Sequence, residues 1–209
     1  MSRSFRVALT FDAEHPDRPA RPDGADGLLD RLAAAGVRST WFVQGRWAEA
    51  HPTTARRIVG DGHRVGNHSH YHARLSLLRT AAIATDIRAA EAAIAEATGA
   101  DPRPWFRCPF GDGARNARIR AVVERLGYRE VGWHVDAGDW DPARSSVLVA
   151  RDVVRMAIAA GDGAVVLLHA WPDQTLAALP TIIGGLREAG ASLVTLDELP
   201  TDRLPDGAE

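Results

Sequence analysis

Residues 5 to 12 read Phe5-Arg6-Val7-Ala8-Leu9-Thr10-Phe11-Asp12. A run rich in β-branched and aromatic residues reads as a strand, and this one stops on a carboxylate. The same pattern recurs along the chain. Further strand-like runs lie at 37 to 43 (VRSTWFV), 63 to 67, 104 to 107, 129 to 135 (REVGWHV), 164 to 169 (AVVLLH) and 191 to 196 (ASLVTL). Between them lie Ala, Leu and Arg-rich stretches with helical spacing at 26 to 35, 80 to 98, 114 to 126, 146 to 160 and 176 to 189. Each is followed at once by a glycine: Gly36, Gly99, Gly127, Gly161 and Gly190. Glycine just past the last periodic residue is a helix stop, because it turns left-handed without a Cβ clash. Strand and helix alternating about seven times predicts an α/β fold with a parallel sheet. Periodicity alone leaves open a compact barrel or a doubly wound open sheet.

With 45% hydrophobic and 25% charged residues, the 209-residue chain is long enough for one sizeable core and has the balance of a globular domain. The expected organisation is one domain over 1–199 and a loosely held surface tail over 200–209. Residues 15 to 27 read as a polar loop rich in Pro and Gly. A net charge of -2 with scattered arginines gives no basic face for nucleic acid or an anionic membrane. All 25 basic residues are arginine, a bias with no functional reading. Cys108 is the one cysteine, so no intrachain disulfide forms. No run is long enough to span a bilayer, and residues 1 to 10 lack the apolar stretch of a signal peptide. The expectation is a cytoplasmic protein, although a processed or truncated chain reads the same way. Oligomeric state is not legible.

Asp12, His68, Arg107, Asp136 and His169 each fall where a strand-like run ends and a loop begins. In a barrel of alternating strands and helices those loops share one rim, so residues distant in sequence converge on one site. His68 and His72 are four apart, a spacing that on a helical turn points both imidazoles the same way. Such a pair alone more often belongs to ordinary surface histidines, since two ligands do not complete a zinc site. Glu14 is a candidate third ligand, and two histidines with one carboxylate and an open position is a catalytic zinc arrangement. Otherwise Glu14 is a solvated loop carboxylate.

The ordered set Thr10-Phe11-Asp12, His68-Ser69-x-x-His72, Arg107-x-Pro109-Phe110-Gly111, Asp136-x-x-Asp139-Trp140 and Leu167-Leu168-His169 resembles the five motifs of the polysaccharide deacetylases, carbohydrate esterase family 4. The likeness runs from Thr10 to about Leu199 and includes the segment 39 to 45 (STWFVQG). It implies a distorted, incomplete (β/α) barrel of about seven parallel strands, TIM-like, with a metal at its open end. The implied activity is hydrolysis of N-acetyl groups on N-acetylated sugars or glycans. One position departs from the pattern: the first motif usually carries two adjacent aspartates, and this chain has Ala13 at the second. Asp12-Ala13-Glu14 fits a spaced variant, with Glu14 as the ligand.

The resemblance then implies roles. Glu14, His68 and His72 hold one divalent ion, most readily Zn2+, which acidifies water and polarises the acetyl carbonyl. Asp12 is the general base and His169 the acid that protonates the departing amine. Asp136 holds the His169 ring in its tautomer, and Arg107 holds Asp12. A backbone N–H near Phe110 faces the oxyanion, while Trp140 and Leu167 wall the pocket for the acetyl methyl. Most of His15, His51, His63, His70 and His134 get solvent or structural readings, Cys108 a buried one, and Asp139 a loop-bracing one. Two other functions stay open: a small-molecule amidohydrolase on a cyclic amide, imide or N-acyl metabolite, and an inactive carbohydrate-binding relative that lost its metal through Ala13. Retention of Asp12 and His169 argues against the last.

Overall fold

The computed structural model describes residues 4–17 and 24–205. They form two compact units. The first comprises residues 4–11, 24–40 and 133–204, and the second residues 12–17, 41–132 and 205.

The first unit is built on strand β1 (Phe5–Ala13), whose last two residues count with the second unit. Every residue of β1 from Val7 to Ala13 is buried. A continuous buried run is the mark of a parallel strand covered on both faces, which is why this stretch does not alternate. To it belong helix α1 (Gly24–Ala35), strand β6 (Val135–Asp136), helix α6 (Ser146–Ala160), strand β7 (Ala164–His169), helix α7 (Asp173–Glu188) and strand β8 (Ala191–Val194). The strand order is β8-β1-β7-β6. β8 lies parallel to β1 with Phe5 opposite Ala191, and β6 lies parallel to β7 with Asp136 opposite Leu167. Thr10 Oγ1 donates to the Val166 carbonyl at 2.6 Å, so its hydroxyl is satisfied inside the core. Val149, Val153 and Ala157 of α6 and Leu179, Ile182, Ile183 and Leu186 of α7 are buried on the packed faces of their helices.

The second unit holds strand β2 (Thr40–Val43), helices α2 (Gly45–Ala50) and α3 (Pro52–Gly60), strand β3 (Arg64–Asn67), helix α4 (Thr80–Thr98), strand β4 (Trp105–Phe106), helix α5 (Ala117–Arg125) and strand β5 (Arg129–Glu130). Its strands run β2-β3-β4-β5, with Asn67 opposite Phe106 and Phe106 opposite Glu130. Leu75, Ile83, Ile87, Phe106, Ile119 and Val122 form the core beneath α4 and α5, and Cys108 is buried among them. Burial pushes its thiol pKa well up, as befits an inert packing residue.

Three sequence expectations change in detail. The run 129 to 135 divides into β5 and β6, because the backbone between them bonds elsewhere. The Val131 and Gly132 carbonyls accept from Arg107, and the Val131 N–H goes to the Phe106 carbonyl. α5 starts at Ala117 instead of 114, where the Asn116 side chain caps it by accepting from the Arg118 and Ile119 N–H groups. Within the expected 200–209 tail, Thr201–Arg203 makes a single 3-10 turn, Arg203 reaches Asp162 and Leu204 is buried, while 206–209 lie outside the described residues. Part of the expected loop at 15 to 27 lies outside the described residues. The five expected helix-stop glycines all have positive φ.

Candidate active site

Four non-glycine residues take a left-handed φ among the described residues: His15, Ser69, His72 and Phe110. All four lie in loops that follow strands of the second unit or the end of β1. Such backbone costs of order 1–3 kcal/mol per residue and persists where the surroundings over-determine it, as they do at functional sites.

His68 to His72 do not form the helical turn that their spacing suggests. They are an irregular loop following β3, and side chains take up the backbone N–H groups that a helix would use internally. Asn67 Oδ1 accepts from the Ser69 N–H at 2.9 Å, and the Asp86 carboxylate of α4 accepts from the His70 and Tyr71 N–H groups at 2.9 and 3.1 Å. Ser69 Oγ accepts from the His72 N–H at 3.0 Å. The two imidazoles still converge, with ring centroids 4.9 Å apart.

Glu14 is buried, not a solvated loop carboxylate. One atom each from Glu14, His68 and His72 lies within 4.8 Å of the other two, a donor set that could hold a metal ion. Glu14 Oε2 is 3.4 Å from His68 Nε2 and in close contact with His72 Nε2. His68 Nδ1 bonds the Arg107 carbonyl at 2.9 Å, which turns Nε2 toward the carboxylates. Two imidazoles and a carboxylate, gathered together and oriented by outer hydrogen bonds, are the chemistry a zinc-type ion takes.

Asp12 adjoins this set, its Oδ2 being 3.5 Å from His68 Nε2. Arg107 NH1 donates to Asp12 Oδ1 at 2.7 Å. The guanidinium is wholly buried over the Phe42 ring, with Nε and NH2 donating to the Val131 and Gly132 carbonyls. A buried arginine so fully bonded holds one geometry, so Asp12 has one of its oxygens fixed and the other directed toward His68. Phe110, 53% exposed, sets its ring 4.5 Å from that of His72.

Burial works to raise the Glu14 pKa, but hydrogen bonds from His15, His68 and His72 outweigh it and hold the carboxyl far below the usual range. For His68 the burial penalty is outweighed by Asp12 and Glu14, and its pKa is raised. For His72 burial prevails, helped by the charge of His68, and its pKa is lowered. A neutral imidazole beside an ionised carboxylate is the form that binds metal.

In the first unit His169 ends β7, as expected, but its ring is held by Asp139, not Asp136. Asp139 Oδ1 lies 2.7 Å from His169 Nδ1, while Oδ2 accepts from the His169 N–H at 2.7 Å and from Thr175 Oγ1 at 2.5 Å. Asp136 instead accepts from the Gly138 N–H at 2.8 Å and so closes its own turn. Leu167 is buried in β7 and Trp140 is half exposed.

Two residues that sequence reasoning set aside bond expected site residues, each within its own unit. Asp139 sits in the same motif as Asp136, three residues on, and only coordinates show which of the two faces the histidine. His15 is bonded through Nε2 to Glu14 Oε1 at 3.0 Å. Its position next to Glu14 was the available signal.

Comparison with known proteins shows the family. The family model for polysaccharide deacetylase matches residues 2–131. A peptidoglycan-N-acetylglucosamine deacetylase of Listeria monocytogenes is 33% identical over 204 residues, covering 98% of this chain and 41% of the Listeria protein. The chain thus spans less than half of that relative. A chitooligosaccharide deacetylase of Rhizobium leguminosarum is 33% identical, with 92% of this chain and 90% of the relative covered. Among solved structures, a family 4 carbohydrate esterase from Streptomyces lividans in complex with acetate aligns at TM-score 0.79 and 35% identity, over 90% of this chain and 91% of that one. A family 4 pseudoenzyme from Bacillus anthracis aligns at TM-score 0.83 and 26% identity, over 95% of this chain and 66% of that one. The fold class is accordingly the distorted, incomplete (β/α) barrel that the motifs implied.

Proposed function

Because this chain belongs to the polysaccharide deacetylase family, we propose that it is a metal-dependent hydrolase removing N-acetyl groups from N-acetylated sugars or glycans. The observation that carries the proposal is the gathering of Glu14, His68 and His72 beside an Asp12 fixed by Arg107. Glu14, His68 and His72 would hold the ion, with Zn2+ the best match to two imidazoles and one carboxylate. When bound, such an ion supplies a Lewis acid for an acyl carbonyl and lowers the pKa of water.

The other steps fall to the chain's own residues. Asp12, with Oδ1 committed to Arg107, offers Oδ2 as the base that takes a proton from the attacking water. The left-handed turn at Phe110 re-aims the backbone after Arg107, and an N–H there is assigned to the oxyanion. His169 is assigned the proton for the departing amine. Asp139 engages its Nδ1 and so fixes the ring's orientation, and Nε2 of the imidazolium is assigned that transfer, while Asp136 supports the turn before Trp140. Trp140 and Leu167 are assigned to the acetyl methyl. Residues 1–199 act as a single catalytic domain, working in the cytoplasm or released from the cell. Among the described residues no helix is long and apolar enough to cross a membrane.

The test is a substrate panel on protein supplied with Zn(II). Acetate release from N-acetylglucosamine oligomers is the expected result. Hydrolysis of cyclic imides with no acetate from the oligomers would move the assignment to small-molecule amidohydrolases, and inactivity on the whole panel would leave a binding relative.

A further inference from the structure

The shift of the site carboxylate from position 13 to position 14 has a mechanical cost. Glutamate has one more rotatable side-chain bond than aspartate, so more rotamer freedom must be lost before its oxygen meets the two imidazoles. Something must hold it. Glu14 splits its two oxygens: Oε2 faces His68 and His72, and Oε1 takes the 3.0 Å bond from His15 Nε2.

His15 is itself held in place. Its φ of 61° is left-handed, and its backbone N–H donates to Gln44 Oε1 at 3.0 Å. Gln44 is buried at the end of β2, and its Nε2 donates to the His70 carbonyl at 3.1 Å, within the loop that carries His68 and His72. The Gln44 N–H also bonds the Ala13 carbonyl at 2.9 Å. One glutamine amide thus ties the Glu14–His15 segment to the histidine loop, and His15 passes that constraint on to the carboxylate.

We infer that His15 is a positioning residue of the metal site, donating from Nε2 to Glu14 Oε1 so that Glu14 offers a single oxygen, Oε2, to the cation. The inference rests on the metal-dependent reading of this site. It removes His15 from the set of incidental histidines.

The test is Zn(II) affinity, measured by chelator competition on the full chain for the parent protein, His15→Ala and His15→Gln. Unfolding of each protein without metal reports whether the fold is kept. Outer hydrogen-bond partners of metal ligands typically matter by 10–100-fold in affinity, so His15→Ala is expected to bind Zn(II) weaker by about that factor. His15→Gln, whose amide can still donate to the carboxylate, is expected to recover most of the loss. A His15→Ala protein that binds as tightly as the parent would overturn the inference, as would a His15→Gln protein no better than His15→Ala. A parent chain that fails to bind Zn(II) would instead bring down the metal reading itself, and this inference with it.

Discussion

Arg107 shows how one residue organises many. Its guanidinium is completely buried and meets Asp12, the Val131 and Gly132 carbonyls, and the Phe42 ring beneath. Removing one partner of a buried charged pair leaves the other uncompensated, at a cost of about 3–5 kcal/mol. Arg107→Leu is therefore expected to destabilise the protein by that order, measured by urea unfolding. Arg107→Lys is expected to keep more of the stability while losing turnover, since a lysine cannot bond three acceptors in the guanidinium plane. Equal stability of the leucine variant and the parent would contradict the account. At this scale the sequence located Asp12, His68, Arg107, Asp136 and His169 at strand ends, where the structure has them. Which carboxylate faces His169 was not legible, because Asp136 and Asp139 are three residues apart in one loop and only its turn decides. His15 was legible only as the neighbour of Glu14, since a lone histidine beside a loop carboxylate has no spacing signature.

At the scale of elements, the loop after β3 depends on α4. Asp86 is buried and accepts two backbone N–H groups from the loop that carries His68 and His72. Hydrogen bonds to a charged acceptor contribute about 1.5–3 kcal/mol each, so Asp86→Ala is expected to lose at least about 2 kcal/mol and to weaken Zn(II) binding. Loss of stability with unchanged Zn(II) affinity would show that the loop is held by other means. The end of α4 offers a cleaner case. Gly99 has φ 73° and ψ 9°, its N–H bonds the Ala95 carbonyl, and an added Cβ would meet nothing within 4 Å. The cost of Gly99→Ala is then purely conformational, roughly 1 kcal/mol in urea unfolding. The long helices were legible because apolar spacing and a terminal glycine agree. α2 and α3 were not, being 6 and 9 residues long with few buried positions each. The Pro52 that opens α3 was a start signal in plain view. β5 and β6 read as one strand because nothing in REVGWHV announces that Arg107, over twenty residues earlier, takes the carbonyls in its middle.

For the whole molecule, two levers act on stability. Asp162 receives hydrogen bonds from the Arg6 side chain and its backbone N–H, with Arg203 nearby, and its carboxyl is held below the usual range. A group whose folded pKa is depressed contributes stability above its unfolded pKa, about 4, and that contribution is lost as pH falls through the folded value. Asp162→Asn should thus lower the Tm at neutral pH and flatten its decline below about pH 4. Curves of Tm against pH that run parallel for variant and parent would contradict this. The second lever follows from the proposed metal site: a cation held by the folded state alone would raise Tm by mass action, so a chelator is expected to lower Tm and added Zn(II) to restore it.

The central claim is that Glu14, His68 and His72 hold one cation while Asp12 does the proton chemistry beside it. It is tested most directly by measuring metal content and acetate release on the same preparations of Asp12→Asn and Glu14→Ala. The expected result is about one divalent ion per chain and no acetate for Asp12→Asn, and loss of the ion for Glu14→Ala, since three protein ligands make a tight site and two do not. A Glu14→Ala protein that keeps its ion while Asp12→Asn loses it would contradict the account.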